Sequence, residues 1–430
     1  MMSADSETAA QTVEVSIEKM VYGGDGLART PEGVVLVAGV IPGERVSLHL
    51  EDRKKGVRRG RLLEVAAPSP DRVAADCPYF GRCGGCQHQH ISYARQLALK
   101  QEILRECFER IGKIRLEVPI SLTASEPWGY RNRARFQVEK QGNEFRIGYF
   151  EMLSHRLCPV ERCPISSPAI NEVLAKLCDG AGAACFPDGA AELELFASDS
   201  DRSLLATVYA SAPPPSEFGE KLRSMIPTLE SVCWRGRNQR QVNTWGSGAL
   251  TYRVGEFHFR VSHDVFFQVN RSVHEAMLQA VLQDLAGDRA LDLYAGVGFF
   301  ALPLARRFEK VAAVEADSAA ARDVAANVGV VGGRARAFHK TAEKFLPVTS
   351  HNWDVVVVDP PRSGLTPVVV EQLQRLRTPR LVYVSCDPTT LARDLARLTP
   401  SSYRIRSVQL VDQFPQTFHI ESVVHLERSE

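Results

Sequence analysis

Two apolar runs in the 430-residue chain end in side chains able to do covalent or acid–base chemistry. Val355-Val356-Val357-Val358 leads into Asp359-Pro360-Pro361-Arg362, and Leu381-Val382-Tyr383-Val384 leads into Ser385-Cys386-Asp387-Pro388. In an open parallel sheet, ligands sit outside the carboxyl ends of the strands, so residues directly after each strand line one crevice. A cysteine at such a point, leading into a helix start near Thr389, is placed to have a lowered pKa and to act as a thiolate nucleophile. Most cysteines are inert small hydrophobes, and Cys386 without these neighbours would be read as one of them.

A second signal lies upstream. Leu291-Asp292-Leu293-Tyr294-Ala295-Gly296-Val297-Gly298-Phe299-Phe300 passes from a strand into a glycine turn and on to a helix. Glycine is needed where the turn takes unusual dihedrals and a ligand approaches the backbone closely. Glu315 follows the next strand, where a carboxylate can hold both hydroxyls of a ribose. The glycines alone could merely join strand to helix; the carboxylate favours a nucleotide. The spacing Gly296-x-Gly298-x-x-Ala301 also fits a dinucleotide fingerprint, so a nicotinamide enzyme is a formal alternative that the downstream cysteine chemistry disfavours.

A third cluster stands apart from these. Cys77-Pro78-Tyr79-Phe80-Gly81-Arg82-Cys83-Gly84-Gly85-Cys86 holds three thiols, with glycines whose N–H groups can bond cluster sulfides. Cys158 and Cys163 are candidates for a fourth ligand, and tetrahedral zinc with nearby His88 and His90 is the plain alternative. Cys107, Cys178, Cys185 and Cys233 lack partners in sequence and read as packed thiols.

The elements that must position these residues fall into three stretches. From residue 1 to 67 short β-type runs broken by Gly23-Gly24-Asp25-Gly26 and Ile41-Pro42-Gly43-Glu44 read as a small β-barrel. Between Arg53 and Arg61 it carries six basic residues and no acidic one, a surface suited to an RNA backbone. Residues 68–262 read as a central α+β domain. Its helix from Tyr93 to Ile111 has the stripe Leu97, Ile103, Leu104, Phe108 and Ile111, and its strands include Ala134 to Glu139, Glu192 to Ala197 and Leu204 to Ala210. Arg131, Arg133, Arg135 and Lys140 form a second basic cluster, expected along one strand face. From 263 to 430 the rhythm becomes strand, helix, strand, an α/β pattern with a parallel sheet covered on both faces. Strands are expected at Ala290–Leu293, Val311–Val314, Arg336–His339, Val355–Val358, Leu381–Val384, Tyr403–Leu410 and Ser422–Leu426, the last two antiparallel, making a seven-stranded sheet.

Composition excludes several classes. Hydrophobic residues at 44% and charged residues at 24% are ordinary for a globular chain. No stretch has the length of uncharged apolar residues that a membrane helix needs, and Met1 to Thr12 lacks the apolar core of a signal peptide. A cytoplasmic protein is expected, with no membrane partner. Ten cysteines in such a chain argue for metal binding or catalysis rather than disulfides. The net charge of +1 gives no global pull on phosphate, so nucleic-acid binding must come from local basic surfaces.

LDLYAGVGF, DPPRSG, VSCDPTTLARDL and FPQTFHIES, in this order, resemble the RNA 5-methyluridine (uracil-C5) methyltransferase family. The resemblance covers nearly the whole chain: the amino-terminal barrel resembles a TRAM module, and the cysteine segment the family's iron–sulfur region. It implies a Rossmann-like methyltransferase domain, S-adenosyl-L-methionine as cofactor and a [4Fe-4S] cluster on Cys77, Cys83, Cys86 and Cys163. Cys386 matches the nucleophile that adds to uracil C6, which makes C5 nucleophilic enough to accept a methyl group. Glu421, in Phe418-His419-Ile420-Glu421-Ser422, matches the base that removes the C5 proton. Gln268, in Phe266-Phe267-Gln268-Val269-Asn270, with Tyr294, Gly296, Gly298, Glu315 and Asp359, matches the cofactor contacts. The position of one polar contact in relatives holds Phe299 here, and Thr341 matches another.

The resemblance further implies an RNA substrate. Relatives with both barrel and cysteine cluster mostly act on large-subunit ribosomal RNA, so an unpaired loop of 23S rRNA is expected and transfer RNA is the alternative. No DNA partner is expected, and the chain is expected to be a monomer. A radical methylthiolating enzyme is disfavoured by the cysteine gaps. A non-catalytic RNA-binding or ribosome assembly factor is disfavoured by the presence of Cys386, Asp359 and Glu421 together.

Overall fold

The computed structural model describes residues 12–51, 56–236, 242–349, 352–400 and 402–429. They fall into two compact units, Met1–Ile103 with Gln416–His419, and Leu104–Pro415 with Ile420–Glu430. Sequence rhythm divides the chain in three. Its boundary at residue 262 is not a gap in packing, because one apolar core runs through Phe196, Tyr252 and Phe259 on one side of it and Phe267, Phe299 and Val384 on the other.

In the first unit, Thr12–Met20, Gly26–Thr30, Gly33–Val37, Arg45–Leu50 and Arg58–Ala67 close into a five-stranded barrel. Alternation explains it: Val15, Ile17, Val35, Val37, Val46 and Leu48 point inward and are buried, while the intervening residues face outward. Of the basic run, Arg53, Lys54 and Lys55 lie outside the described residues. Arg58 is paired with Glu32 and Arg59 with Asp25, whereas Arg61 is exposed. The segment after the barrel is tied back by a buried carboxylate: Glu44 accepts bonds from Arg72 at 2.6 and 2.7 Å and from the Ile41 N–H at 2.8 Å. The helix Tyr93–Arg110 follows, and Leu97, Ile103, Leu104 and Phe108 are buried on it as the stripe requires. Ile111, past the helix end, is exposed instead.

The second unit holds two large sheets. The central one has seven strands in the order Val242–Gly246, Leu229–Gly236, Leu204–Ala210, Gly189–Ala197, Arg133–Gln141, Glu144–Phe150 and Leu157–Pro159. The expected basic face on Arg133–Gln141 is mostly spent internally. Arg133 is buried, donating to the Val265 carbonyl at 2.7 Å and lying over the Phe196 ring, and Lys140 pairs with Asp188 at 2.8 Å. Arg131 donates to the Arg133 carbonyl at 2.8 Å. Arg135 lines a cavity.

The other sheet has eight strands, not seven: Ala335–His339, Phe308–Glu315, Gly287–Leu293, Val355–Val358, Arg380–Ser385, Glu421–Arg428, Tyr403–Val411 and Ile120–Thr123. Each of the seven expected strands is present, and Tyr403–Val411 and Glu421–Arg428 are antiparallel as expected. The eighth, Ile120–Thr123, runs parallel to Tyr403–Val411. A strand of four residues remote in sequence from the α/β rhythm carries no periodic signal of its own, which is why the pattern did not reveal it. Helices such as Ser318–Gly329, Pro367–Leu376 and Pro388–Leu398 fill the crossovers. The four valines of Val355–Val358 are buried, as a strand covered on both faces demands. No described helix is long and apolar enough to cross a membrane.

Removing Arg72 leaves a buried, uncompensated Glu44 carboxylate. Arg72→Ala is expected to destabilise the first unit by roughly 3–5 kcal/mol, read as a lowered denaturation midpoint; a midpoint like that of wild type rejects the tether.

Candidate active site

Strand register brings the chemical residues to one edge. Leu293 pairs with Val314 and with Val358, and Val358 with Tyr383, all in parallel. Tyr294, Glu315, Asp359 and Cys386 therefore leave the sheet at its carboxyl edge. The strand Glu421–Arg428 runs the other way, and Ser422 pairs with Ser385. Its first residue, Glu421, thus meets the same edge opposite Cys386, from the reversed direction. A cysteine at a strand end and a carboxylate at a strand beginning become neighbours because one strand is inverted.

The turn after Gly287–Leu293 is wound tightly. Tyr294, Gly296 and Gly298 all have positive φ, at 62°, 55° and 88°, a region costly for side chains with a Cβ. At Gly298 a Cβ would stand 2.9 Å from Val324 Cγ2, so the turn packs against the helix Ser318–Gly329 only with glycine there. At Gly296 a Cβ would meet nothing within 4 Å, leaving open space above the backbone. The Gly296 N–H donates to Glu315 Oε2 at 2.8 Å and the Asp317 N–H to Oε1 at 2.7 Å, fixing the carboxylate beside the turn. The helix after it is short, Ala301–Leu304.

Carboxyl groups dominate the electrostatics. Burial pushes Asp359 from an ordinary 3.8 up to about 7. Glu421 is driven well above the usual range, first by burial and then by Asp359, with Arg362 opposing. Asp292, on the strand itself, is also driven well up, by burial, Asp359 and Glu315. Both Asp292 carboxyl oxygens lack a hydrogen-bond partner, the nearby Ala301 N–H only weakly favouring charge. Sequence reasoning passed over Asp292; a carboxylate flanked by buried Leu291 and Leu293 was the available signal. Three acidic groups around an open backbone turn form a setting that a cationic ligand relieves, and the sulfonium and ammonium of S-adenosylmethionine fit it.

The thiol corrects one expectation. Cys386 is half-buried, and its pKa is raised to about 12 by burial, then by Glu421 and Asp359, with Arg362 pulling the other way. The helix Pro388–Leu398 does begin just beyond it, but Asp387 occupies its cap, accepting from the Thr389 and Thr390 N–H groups at 2.9 Å each. Burial outweighs Arg362 and the nearby backbone donor, so the sulfur rests as a neutral thiol.

The tRNA (Uracil-5-)-methyltransferase family model matches residues 244–429, which contain every one of these groups. A 23S rRNA (uracil(1939)-C(5))-methyltransferase RlmD of Alkalilimnicola ehrlichii is 33% identical over 96% of both chains. An uncharacterized RNA methyltransferase of Gloeobacter violaceus is 34% identical over 97% of both. The chain belongs to the RNA uracil-C5 methyltransferase family. The tRNA (uracil-54, C5)-methyltransferase of Pyrococcus abyssi, solved with S-adenosyl-L-homocysteine, shares the fold at a TM-score of 0.78 and 24% identity, over 96% of this chain and 100% of that one.

Family-matched positions outside the sheet edge divide. Gln268 is buried, and its Oε1 accepts from Gln413 Nε2 at 3.1 Å, just past the strand Tyr403–Val411. Its backbone carbonyl is held by His274 at 3.0 Å and Asn132 at 3.2 Å. Phe299, where relatives are read to have a polar contact, is buried among Phe259, Phe267, His274 and Phe300. Thr341 caps the helix Ala342–Phe345, accepting from the Lys344 N–H at 3.4 Å.

The cysteines are partly accounted for. Cys77, Cys83 and Cys86 lie in the first unit, and the Gly85 N–H donates to Cys83 Sγ at 3.4 Å. His88 and His90 are buried while the three cysteines are half-buried, and His90 lies 3.4 Å from the Val40 carbonyl. In the second unit Cys163 is buried; its N–H donates to Asn171 Oδ1 at 2.8 Å, and Tyr149 Oη donates to its sulfur at 3.8 Å. Among the described residues no three His, Cys, Asp or Glu side chains converge as a metal-holding group. Nothing in the chemistry of the sheet edge is routed through a metal cluster.

Asp359 gives the family site a pH signature. Between its ordinary 3.8 and about 7 the unfolded chain has released a proton that the folded chain keeps, so the stability this group contributes is lost as pH rises through that window. In cofactor-free protein, Asp359→Asn is expected to reduce the fall in melting temperature from about pH 4 to about pH 7. A variant with the slope of wild type overturns the burial assigned to Asp359.

Proposed function

We propose that the protein transfers a methyl group from S-adenosylmethionine to C5 of a uridine in RNA, through a covalent bond between Cys386 and uracil C6. The observation that carries this reading is the register that sets Cys386 opposite Glu421, beside Asp359 and the Tyr294–Gly298 turn. Gln268, Tyr294, Gly296, Gly298, Glu315 and Asp359 would hold the cofactor, with Glu315 toward the ribose. When bound, the cofactor supplies an electrophilic methyl group.

The protein's own groups do the rest. Cys386 loses its proton to solvent, and its sulfur bonds to C6 while the C5–C6 π pair moves toward O4. Glu421, which keeps its proton well above the usual range, donates it as charge develops on O4 and becomes a carboxylate. As C5 takes up the methyl group the C4 carbonyl re-forms and O4 gives up its proton to solvent, and the Glu421 carboxylate then takes the C5 proton. The C6–S bond then breaks, its electron pair returning to sulfur and the C5–C6 double bond re-forming. A neutral resting thiol means that nucleophile is generated only as substrate arrives.

For the substrate, 23S rRNA is favoured by the names of the relatives from Alkalilimnicola ehrlichii, Halomonas elongata and Nitrosococcus oceani, at 33%, 34% and 32% identity over nearly their full lengths. An unpaired loop with the target base turned out of its stack suits chemistry at C5 and C6. The cytoplasm is the matching compartment. The amino-terminal barrel reads as a TRAM-like RNA-binding module. The iron–sulfur reading of Cys77, Cys83 and Cys86, with Cys163 as the motif's fourth ligand, rests on sequence pattern and on the Gly85 contact to Cys83. Its role is structural, since methylation transfers no electrons.

RNA containing 5-fluorouridine tests the chemistry, because fluorine cannot leave as a proton. A denaturation-resistant protein–RNA adduct is expected with wild type and none with Cys386→Ala. Glu421→Gln is expected to accumulate adduct on normal RNA while turnover drops by about 10²-fold or more. Wild type that neither forms the adduct nor methylates ribosomal RNA refutes the reading. Anaerobically purified protein is expected to carry about four irons per chain with matching acid-labile sulfide, falling sharply in Cys83→Ser; zinc or no metal in wild type rejects the cluster alone.

A further inference from the structure

Away from the catalytic edge, a cavity of about 530 Å³ opens between the central sheet and the start of the helix Ser318–Gly329. Its floor is one row of the sheet: Glu192 pairs with Tyr209, and Tyr209 with Arg235. Arg135 joins them on the same face, its guanidinium 4.4 Å from the centre of the Tyr209 ring. The opposite wall carries Ser318 and Arg322. The cavity lies in a size range ordinary for a bound small molecule or nucleotide.

The lining charges are unevenly matched. Asp264 is engaged by Arg235 and by Tyr209 Oη. Glu192 lies 3.5 Å from Arg135, and Asp317 caps its own helix, accepting from the Ala319 and Ala320 N–H groups at 2.9 Å each. Each acidic group that lines the cavity is thus answered from within the protein. Arg322 is exposed, and no hydrogen bond or ion pair answers it among the described residues. Among the described residues one cation is left over, beside a flat guanidinium–aromatic layer.

We propose that this cavity binds one unpaired nucleotide of the substrate RNA, its phosphate at Arg322 and its base against the Arg135–Tyr209 layer. Guanidinium groups and aromatic rings stack on bases of any sequence, while a lone arginine contributes a salt-dependent phosphate contact. The site rests on the reading of the protein as an RNA methyltransferase and adds an anchor outside the catalytic pocket. Its position is informative: Asp317 at the cavity wall also donates its N–H to Glu315, so the wall of the RNA anchor and the ribose-holding carboxylate meet in one short loop.

The test is equilibrium binding of deproteinised 23S rRNA to the full-length protein across a salt series, with binding of S-adenosylhomocysteine and thermal melting measured in parallel. Arg322→Ala is expected to weaken RNA binding by about 5- to 10-fold and to reduce the salt slope by about 0.7–0.9. Arg322→Lys is expected to restore the slope, and Ser318→Glu, which places a negative charge at the same wall, to weaken RNA binding at least as much. Cofactor-product binding and melting should stay as in wild type. RNA affinity and salt slope unchanged in both Arg322→Ala and Ser318→Glu overturn the site, as does failure of wild type to bind RNA. An acidic peptide that displaces RNA only from wild type, with no effect of either variant on RNA affinity alone, assigns the cavity to a protein partner and overturns it too. RNA binding that depends on Arg322 in an enzyme that transfers no methyl group keeps the anchor and removes the catalytic reading.

Discussion

The proposed active site depends on the reversal of a single strand. In a wholly parallel sheet every carboxyl end lies at one edge and every strand beginning at the other, so a residue opening a strand cannot meet one closing its neighbour. Inverting Glu421–Arg428 between Arg380–Ser385 and Tyr403–Val411 removes that restriction. Backbone pairing, rather than flexible side-chain reach, sets the distance between thiol and carboxyl. Ladder hydrogen bonds hold such a separation more tightly than loops can.

Burial then decides the protonation states. Asp359, Glu421 and Asp292 crowd one apolar-walled edge, and like charges in a poorly solvated space cannot all ionise. The site consequently stores protons. Arg362 is the nearby counter-charge acting on both Glu421 and Cys386, and its effect is smaller than that of burial. A fold that spends stability on keeping acids neutral in this way is typical of positions retained for chemistry or ligand binding.

Much of this was legible because it obeys simple periodicities. Four consecutive valines before Asp359, and Leu381–Val384 before Cys386, can only be covered strands, and the rule for ligand sites in parallel sheets puts the residues next in the chain at the binding crevice. The direction of the Cys386 shift was not legible, since it depends on burial and on carboxylates brought from residues 421 and 359. Neither was the fate of Arg133, whose alternation looked like an open basic face until Phe196 and Val265 were seen to enclose it. The strand Ile120–Thr123 escaped for a third reason: four residues hold too little pattern to distinguish pairing from loop.

That small strand has a bearing on how the chain can be made and cut. It covers the outer rim of the sheet by pairing with Tyr403–Val411, so a protein begun at residue 263 would leave that rim bare, with unpaired amide and carbonyl groups ready to recruit another copy. During synthesis the same residues emerge long before their partner and must wait for nearly the whole polypeptide. Completion of the sheet is therefore a late event that joins the earliest part of the second unit to nearly its last.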